Sequence, residues 1–394
     1  MGTLIFNKDK IADVEAFKKL CPFGAIVEED GKLSANSSCK MCKLCVKKGP
    51  EGGAVLVEDE VEAIDKTLWN GIAVYVEHSN GQIHPVTYEL IGKAKELAAK
   101  INHKVYCLFM GSDIGDQAND ILNYGVDKVF VYDNPQLQHY VTESYTAVFE
   151  DFINKVKPCA ILIGATTVGR QLAPRVAARF KTGLTADCTI LDMAENTDLI
   201  QIRPAFGGNI MAQICTPNNR PQIATVRYKV MNAAERVAEP TGEVVLESIE
   251  EEKLKSSIKV IAVKEKQKRN TIENADVVVA VGRGLKTKED ISMIEELAAC
   301  LGAEMACTRP LVESGWVESR RQIGLSGRTV RPKLIITCGI SGAVQFTAGM
   351  NNSDHIFAIN SDENAPIFKV ADYGIVGDMY KIVPALIKKI KEGK

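Results

Sequence analysis

VVVAVGRGLKTKEDISMIEELAACL, residues 277–301, is the stretch whose reading decides the fold. Val277, Val278, Val279, Ala280 and Val281 form a β-branched run without polar alternation, as a parallel strand buried on both faces requires. The run stops at Gly282-Arg283-Gly284. Ile291, Ile294, Leu297, Ala298 and Leu301 then recur at helical spacing, with Thr287 and Asp290 placed as a capping box. A strand therefore feeds a glycine turn and a helix. Leu334, Ile335, Ile336, Thr337 and Cys338 repeat the pattern into Gly339-Ile340-Ser341-Gly342-Ala343, and a third apolar strand ends on Asn360. Glycine directly after a buried parallel strand lets backbone amides approach an anion closely, and the next helix adds its positive end. One isolated turn of this kind only tightens a strand-to-helix connection; three within residues 277–378 point to a nucleotide cradle. The spacing is not G-x-G-x-x-G, so an ordinary nicotinamide site is not expected.

The chain of 394 residues exceeds what one hydrophobic core usually organises, so two or three domains are expected. A net charge of -2 argues against a nucleic-acid partner. No apolar run approaches the roughly 18 residues of a membrane span, and the first ten residues lack the apolar segment of a signal peptide. A cytoplasmic location follows as the default expectation.

Of the eleven cysteines, seven are scattered singly through strand-like or helix-like text and read as buried thiols. The other four are Cys21, Cys39, Cys42 and Cys45. A C-x-x-C-x-x-C run wraps three thiolates around one face of a cuboidal cluster, whereas zinc sites usually take cysteines in separated pairs. In two-cluster ferredoxins each such triplet is completed by the Cys-Pro cysteine of the other motif. Cys21-Pro22 is present here, but Ile11, Val14 and Phe17 stand where the first triplet would be, and Gly49-Pro50 stands where the second motif would place its last cysteine. One crossed set survives, so Cys21, Cys39, Cys42 and Cys45 are expected to hold a single [4Fe-4S] cluster while apolar residues fill the vacated site. A zinc ribbon or free thiols form the other reading. The segment resembles a half-degenerate bacterial ferredoxin.

After a charged connector at residues 58–66, apolar strands at 71–76, 105–110, 128–132 and 160–163 alternate with helical patterns at 86–97, 118–123 and 145–156, which implies parallel βαβ units. Ile163-Gly164-Ala165-Thr166 reads equally as a phosphate turn or a packing turn. Residues 247–270 are dense in charge, with 258–263 reading as the last strand of this region before a hinge. Residues 380–394 read as an amphipathic helix ending in lysines, favourable at a helix carboxyl end.

The runs VGRGLK (281–286), CTRPLVESGW (307–316), QIGLSG (322–327), CGISGAVQ (338–345), AIN (358–360) and APIFKVADYGIVGD (365–378) resemble the FAD domain of electron-transfer flavoprotein α subunits. Residues 163–175, 182–188 and 203–209 are similar to the first domain of that family, which serves mainly as a platform for the β subunit. The resemblance implies an α/β chain with a small ferredoxin-like α+β domain at 1–66, then two doubly wound parallel-sheet domains at 67–268 and 269–394, the last binding FAD. It places Arg283 on the FAD phosphate side, Thr308 and Arg309 near the isoalloxazine, and Ser326 on the flavin N5. Gln322, Ile323, Gly324 and Leu325 would line the ring. Gly339, Ile340, Ser341, Gly342, Ala343 and Gln345 would meet the ribityl and pyrophosphate, and Asn360 and Asp378 the adenosine half. Phe346 stands where many members have a histidine, and it cannot donate a hydrogen bond to the flavin. Arg170, Arg175 and Arg203 are either solvated or turned toward the partner subunit. No Ser-His-Asp, Cys-His or paired-carboxylate set stands out, and the five histidines are dispersed, so redox chemistry is left to cofactors.

The resemblance thus implies the electron-transfer subunit of a heteromeric oxidoreductase complex. Its partners would be a β subunit that oxidises NADH, a flavin dehydrogenase such as an enoyl-CoA reductase or lactate dehydrogenase, and ferredoxin in electron bifurcation. A simple carrier with a structural cluster, and a nucleotide-binding enzyme with a zinc knob, are the alternatives.

Overall fold

The computed structural model describes residues 3–29, 31–36, 38–57, 64–205, 210–264 and 271–393. They divide into two compact units, Met1–Ile64 and Asp65–Lys394. Most of the connector expected at 58–66 lies outside the described residues.

In the amino-terminal unit Thr3–Phe6 pairs antiparallel with Ala54–Val57, and Ile26–Glu29 forms a hairpin with Lys32–Ala35. Short helices Val14–Lys18 and Leu44–Lys48 complete it. Asp13 caps the first by accepting the Ala16 N–H at 3.0 Å. Ile11 and Phe17, which occupy the positions of the missing triplet, lie in the core with Ile26, Leu33, Cys45 and Ala54. The vacated ligand positions have become hydrophobic packing.

The larger unit holds two parallel sheets. The seven-stranded sheet runs Leu184–Cys188, Gln222–Val226, Ala160–Gly164, Ile72–Val76, Val105–Gly111, Lys128–Asp133, Glu243–Glu247, every pair parallel. Its central strands are buried along their whole length, as their unbroken apolar text requires. Helices Val86–Ile101, Gly115–Leu122, Thr142–Val156 and Gly169–Arg179 belong to the same α/β layer, and Ile190–Met193, Leu199–Ala205 and Ile210–Ile214 make a separate antiparallel sheet. The strand expected at 258–263 does not form: the segment has no sheet partner, and Ile258, Ile261 and Val263 are 59, 94 and 64% exposed. The edge strand is Glu243–Glu247 instead, which finds hydrogen-bond partners along Lys128–Asp133.

The five-stranded sheet runs Glu304–Cys307, Val277–Val281, Leu334–Cys338, Ile356–Asn360, Tyr373–Val376, all parallel. In chain order this is second, first, third, fourth, fifth. Helix Ile291–Leu301 begins at Asp290 rather than at Thr287, and only half of the expected capping box forms: the Asp290 carboxylate accepts the Thr287 N–H at 2.9 Å. The closing helix Met379–Glu392 is capped by Asp378, which accepts the Tyr380 N–H at 3.0 Å.

Glu89 sits 6% exposed on Val86–Ile101, where its carboxylate accepts the Lys229 N–H at 3.1 Å and the Met231 N–H at 3.4 Å. Burial pushes this carboxyl up to about 7, against the pull of those amides. The folded state thus holds the proton more tightly than the unfolded chain, so stability falls as pH rises from the ordinary glutamate range to about 7. Glu89→Gln removes the titration. Unfolding free energies from denaturant titrations at pH 5 and 7.5 should therefore differ less in Glu89→Gln than in the wild type, by on the order of 1–3 kcal/mol. An equal pH slope in both proteins would show that Glu89 does not titrate in this window.

Candidate functional site

Both parallel sheets reverse direction at a point where neighbouring strands send their connections to opposite sides, and ligands of such folds bind in the crevice beyond the carboxyl ends there. In the seven-stranded sheet that point lies between Ile72–Val76 and Ala160–Gly164. It is closed. The Thr166 hydroxyl donates to Glu77, which is 8% exposed and whose carboxyl is raised by burial, and Thr166 Oγ1 also accepts the Gly169 N–H at 3.0 Å. A Cβ on Gly169 would come within 1.9 Å of the Gly164 carbonyl oxygen. The turn at 163–166 packs and does not cradle. Arg170 forks onto Asp187 at 3.1 Å through both bonds, Arg203 Nε donates to the Pro204 carbonyl at 3.4 Å, and Arg175 is exposed.

In the five-stranded sheet the switch point is open. Val281 lies beside Cys338, so the turns after both strands emerge together. They interlock: a Cβ on Gly284 would meet the Gly339 Cα at 2.6 Å, and Gly339 itself has φ +59°. The Gly284 N–H donates to the Gly339 carbonyl at 3.0 Å. Beyond them lies a cleft of about 900 Å³, at the upper end of the usual range for small-molecule and cofactor sites. Arg283, Thr308, Arg309, Ile323, Leu325 and Ser326 line it, as do Gly339, Ile340, Ser341, Ala343, Gln345, Asn360 and Asp378. Three residues expected at the site stand behind its wall. Gln322 is 7% exposed and donates to the Ser326 hydroxyl at 2.8 Å. Gly324, at φ +130°, packs on the Gln345 carbonyl, and Gly342 packs on Ile367. Asn360 spends its side-chain amide on the protein, donating to the Ile340 carbonyl at 2.8 Å and accepting the Asp362 N–H at 2.9 Å, so it shapes the loop at 339–343.

Arg309 Nε pairs with Glu313 at 2.8 Å on its own short helix, and the guanidinium remains 64% exposed. An exposed pair of this kind is weak, so the cation stays available to the cleft. Phe346 lines the cleft while 5% exposed. Sequence reasoning missed Lys286 and Tyr380. The Tyr380 hydroxyl accepts the Lys286 N–H at 2.7 Å and donates to Asp290 at 2.6 Å, and the Lys286 ammonium lies 4.8 Å from the Tyr380 ring centroid. Lys286 was quoted within VGRGLK and could have been named, but nothing local signals a tyrosine 94 residues further along.

Among the described residues no histidine or cysteine lines the cleft, and its carboxylates are Asp362 and Asp378. Burial pushes the neighbouring Cys307 and Cys338 thiols up to about 12, so neither is a nucleophile. Such a cleft binds and orients, and the chemistry must come from a cofactor. Glycine turns at the amino-facing side of two crossovers, a flexible cation and an apolar floor fit a flavin nucleotide.

In the amino-terminal unit Cys21, Cys39, Cys42 and Cys45 line one small hollow with Phe23, Ala25 and Ile26. Met41 and Lys43 have φ of +51° and +61°, a left-handed backbone uncommon for such residues, and they turn the chain between successive cysteines. Burial is the main cause that raises the Cys45 thiol. Among the described residues no three His, Cys, Asp or Glu side chains converge tightly enough to hold a metal ion, so the four thiols share a hollow without closing on a centre.

Fold and cleft define a two-lobed α/β carrier of a flavin nucleotide. Residues 72–253 match the family model described as electron transfer flavoprotein domain, and residues 271–351 match electron transfer flavoprotein FAD-binding domain. The chain is 62% identical over 377 residues to lactate dehydrogenase (NAD(+),ferredoxin) subunit LctC of Acetobacterium woodii, covering 96% of this chain and 90% of that one. It is 45% identical over 331 residues to the electron transfer flavoprotein subunit alpha of Thermoanaerobacterium thermosaccharolyticum, covering 84% and 99%. It is 40% identical to the acryloyl-CoA reductase electron transfer subunit beta of Anaerotignum propionicum, covering 84% and 98%. The chain belongs to the electron transfer flavoprotein α-subunit family. No helix among the described residues is long and apolar enough to cross a membrane.

Arg309→Ala is expected to keep FAD bound and to make its midpoint potential more negative. The cation's removal costs the reduced, negatively charged flavin on the order of 1 kcal/mol after solvent screening. A reductive titration checks this, and an unchanged potential would remove Arg309 from the ring.

Proposed function

We propose that this chain passes electrons through FAD bound in the cleft at the five-stranded sheet, between a β subunit that oxidises NADH and a flavin dehydrogenase, in electron bifurcation coupled to ferredoxin. The observation that carries the FAD reading is the open switch point, where two glycine turns present backbone amides beside a cleft whose described lining holds no histidine or cysteine. FAD supplies the one- and two-electron chemistry when bound. Arg283 and the amides of Ile340, Ser341 and Ala343 would hold its phosphates, and Thr308, Arg309, Ile323, Leu325 and Ser326 the ring, with Gln322, Gly324 and Gly342 supporting them from behind the wall. Gln345 would hold the ribityl chain and Asp378 the adenosine half, with Asn360 shaping the loop beside it. Phe346 offers no hydrogen-bond donor, so the potential is set by Arg309 and Ser326. The functional divisions follow as 1–66, 67–268 and 269–394.

The coupling to ferredoxin rests on the amino-terminal unit. Cys21, Cys39, Cys42 and Cys45 would hold one [4Fe-4S] cluster: a C-x-x-C-x-x-C triplet with a fourth, Cys-Pro cysteine is a ferredoxin donor set, whereas four-cysteine zinc sites usually come as separated pairs. The 377 residues shared with the Acetobacterium protein cannot fit within residues 65–394, so that similarity takes in the amino-terminal unit, and that relative's name includes ferredoxin. A lactate dehydrogenase or an acyl-CoA dehydrogenase-like enoyl-CoA reductase is the class of flavin enzyme that would complete the complex.

Cys42→Ala decides both halves. Iron and acid-labile sulfide should vanish while FAD stays, because the two sites belong to separate compact units. In the complex NADH should still reduce the flavins while ferredoxin-dependent turnover falls at least tenfold. Zinc in place of iron in the wild type would overturn the cluster, and full ferredoxin turnover in the variant would leave a simple carrier.

A further inference from the structure

Arg227 follows the strand Gln222–Val226 in the seven-stranded sheet, yet its guanidinium ends on the loop that lines the cleft of the other sheet. Nη2 donates to the Leu325 carbonyl at 2.6 Å, and Nη1 reaches the Gly324 carbonyl at 3.5 Å. The group is only 11% exposed. It is held from behind by Asp187, whose Oδ2 accepts from Nη2 at 3.2 Å. Asp187 is itself fixed in a left-handed conformation at φ +58°, with its N–H donating to Thr225 Oγ1 at 3.0 Å and both carboxylate oxygens forked by Arg170. A planar, always charged fork locked in this way is suited to capturing carbonyl oxygens at a fixed angle.

We propose that Arg227 is a positioning residue for the flavin: by capturing the Leu325 carbonyl it turns the Leu325–Ser326 peptide so that Ser326 presents its donors to the cleft. This rests on reading the cleft as the FAD site. The peptide is planar and trans, so when its C=O points to Arg227 its N–H points the opposite way. Among the described residues the Ser326 N–H has no backbone acceptor, while the N–H groups of Gly324, Leu325 and Gly327 all do. The Ser326 hydroxyl already accepts from Gln322 Nε2 at 2.8 Å, which leaves its own proton to be donated elsewhere. Two donors at Ser326, which lines the cleft and is exposed, are therefore left available to a ligand. Donors aimed at a group that gains negative charge on reduction raise its potential. The capture also makes one lobe responsible for the electronic environment built by the other, since Arg227 follows a strand of the seven-stranded sheet while Ser326 lies in the loop beside the five-stranded sheet.

The test compares wild type, Arg227→Ala, Arg227→Lys and the control Arg331→Ala. Arg331 also links the two lobes, through Asn232 at 3.0 Å, but among the described residues it makes no hydrogen bond to the loop at 322–327. Three readouts are taken: FAD content, flavin midpoint potential, and amide hydrogen exchange of the 322–328 segment in flavin-free protein. In Arg227→Ala the segment should exchange at least tenfold faster and the potential should move negative with FAD still bound. Arg227→Lys, with one point donor in place of a fork, should fall between, and Arg331→Ala should match wild type. Wild-type exchange and potential in Arg227→Ala would overturn the proposal, as would exchange rising throughout residues 271–393, the mark of a general strut. A wild-type chain that takes up no FAD would instead defeat the flavin reading itself, a result distinguishable because the exchange of the flavin-free loop is measured separately.

Discussion

Everything at the cleft depends on the contact between two glycine turns. Gly284 and Gly339 approach so closely that a side chain on either would strike the other's Cα, and the bond from the Gly284 N–H to the Gly339 carbonyl fixes the distance. Because Val281 and Cys338 are in register, the two turns leave the sheet at the same height. Their connections diverge to opposite faces, and the space between becomes the cleft. A Cβ here would force one strand end away from the other and spoil the seat for a phosphate before any contacting side chain was altered.

The larger sheet tests the generality of that rule within the same unit. It too has a switch point between adjacent parallel strands, followed by a glycine-containing turn at Ile163-Gly164-Ala165-Thr166. There Glu77 and Thr166 join across the crevice in a partly buried hydrogen bond, and Gly169 packs against the Gly164 carbonyl. The same topology thus gives a ligand cleft in one sheet and a solid platform in the other. The difference lies in whether polar side chains already occupy the position that a phosphate would take. The solid lobe still reaches the open one, through Arg227 and the loop at 324–325.

The amino-terminal unit solves a different problem. A segment of this size buries too little apolar surface to be comfortably stable alone, and small domains commonly add a metal centre or cross-links. Ile11 and Phe17 have taken over the place of one ligand triplet and form the core with Phe6 at their edge, its ring centroid 6.0 Å from that of Phe17. Cys45 sits at the boundary between this core and the hollow that the other three cysteines share.

Much of this was legible in the sequence, because the signals were local. Unbroken β-branched runs followed by glycine specify buried parallel strands and their turns, helical spacing specifies the crossovers, and the cysteine spacing sets the donor type. Local text failed wherever a partner far along the chain made the decision. Residues 258–263 have strand composition but no neighbouring strand to pair with, whereas Glu243–Glu247, with more charge, found one. The turn at 163–166 could not be told from a phosphate turn until Glu77 arrived from another strand. Gln322, Gly324 and Gly342 sit in the expected motifs yet stand behind the wall, and Tyr380 joins the cleft only because helix Met379–Glu392 packs back on Ile291–Leu301. The sequence by itself determined the buried parallel strands, the glycine turns that follow them and the chemistry of the donors. Only the tertiary structure decided which switch point is open, which side chains face it and that Arg227 reaches across to it, because those facts are set by contacts between residues that no local pattern joins.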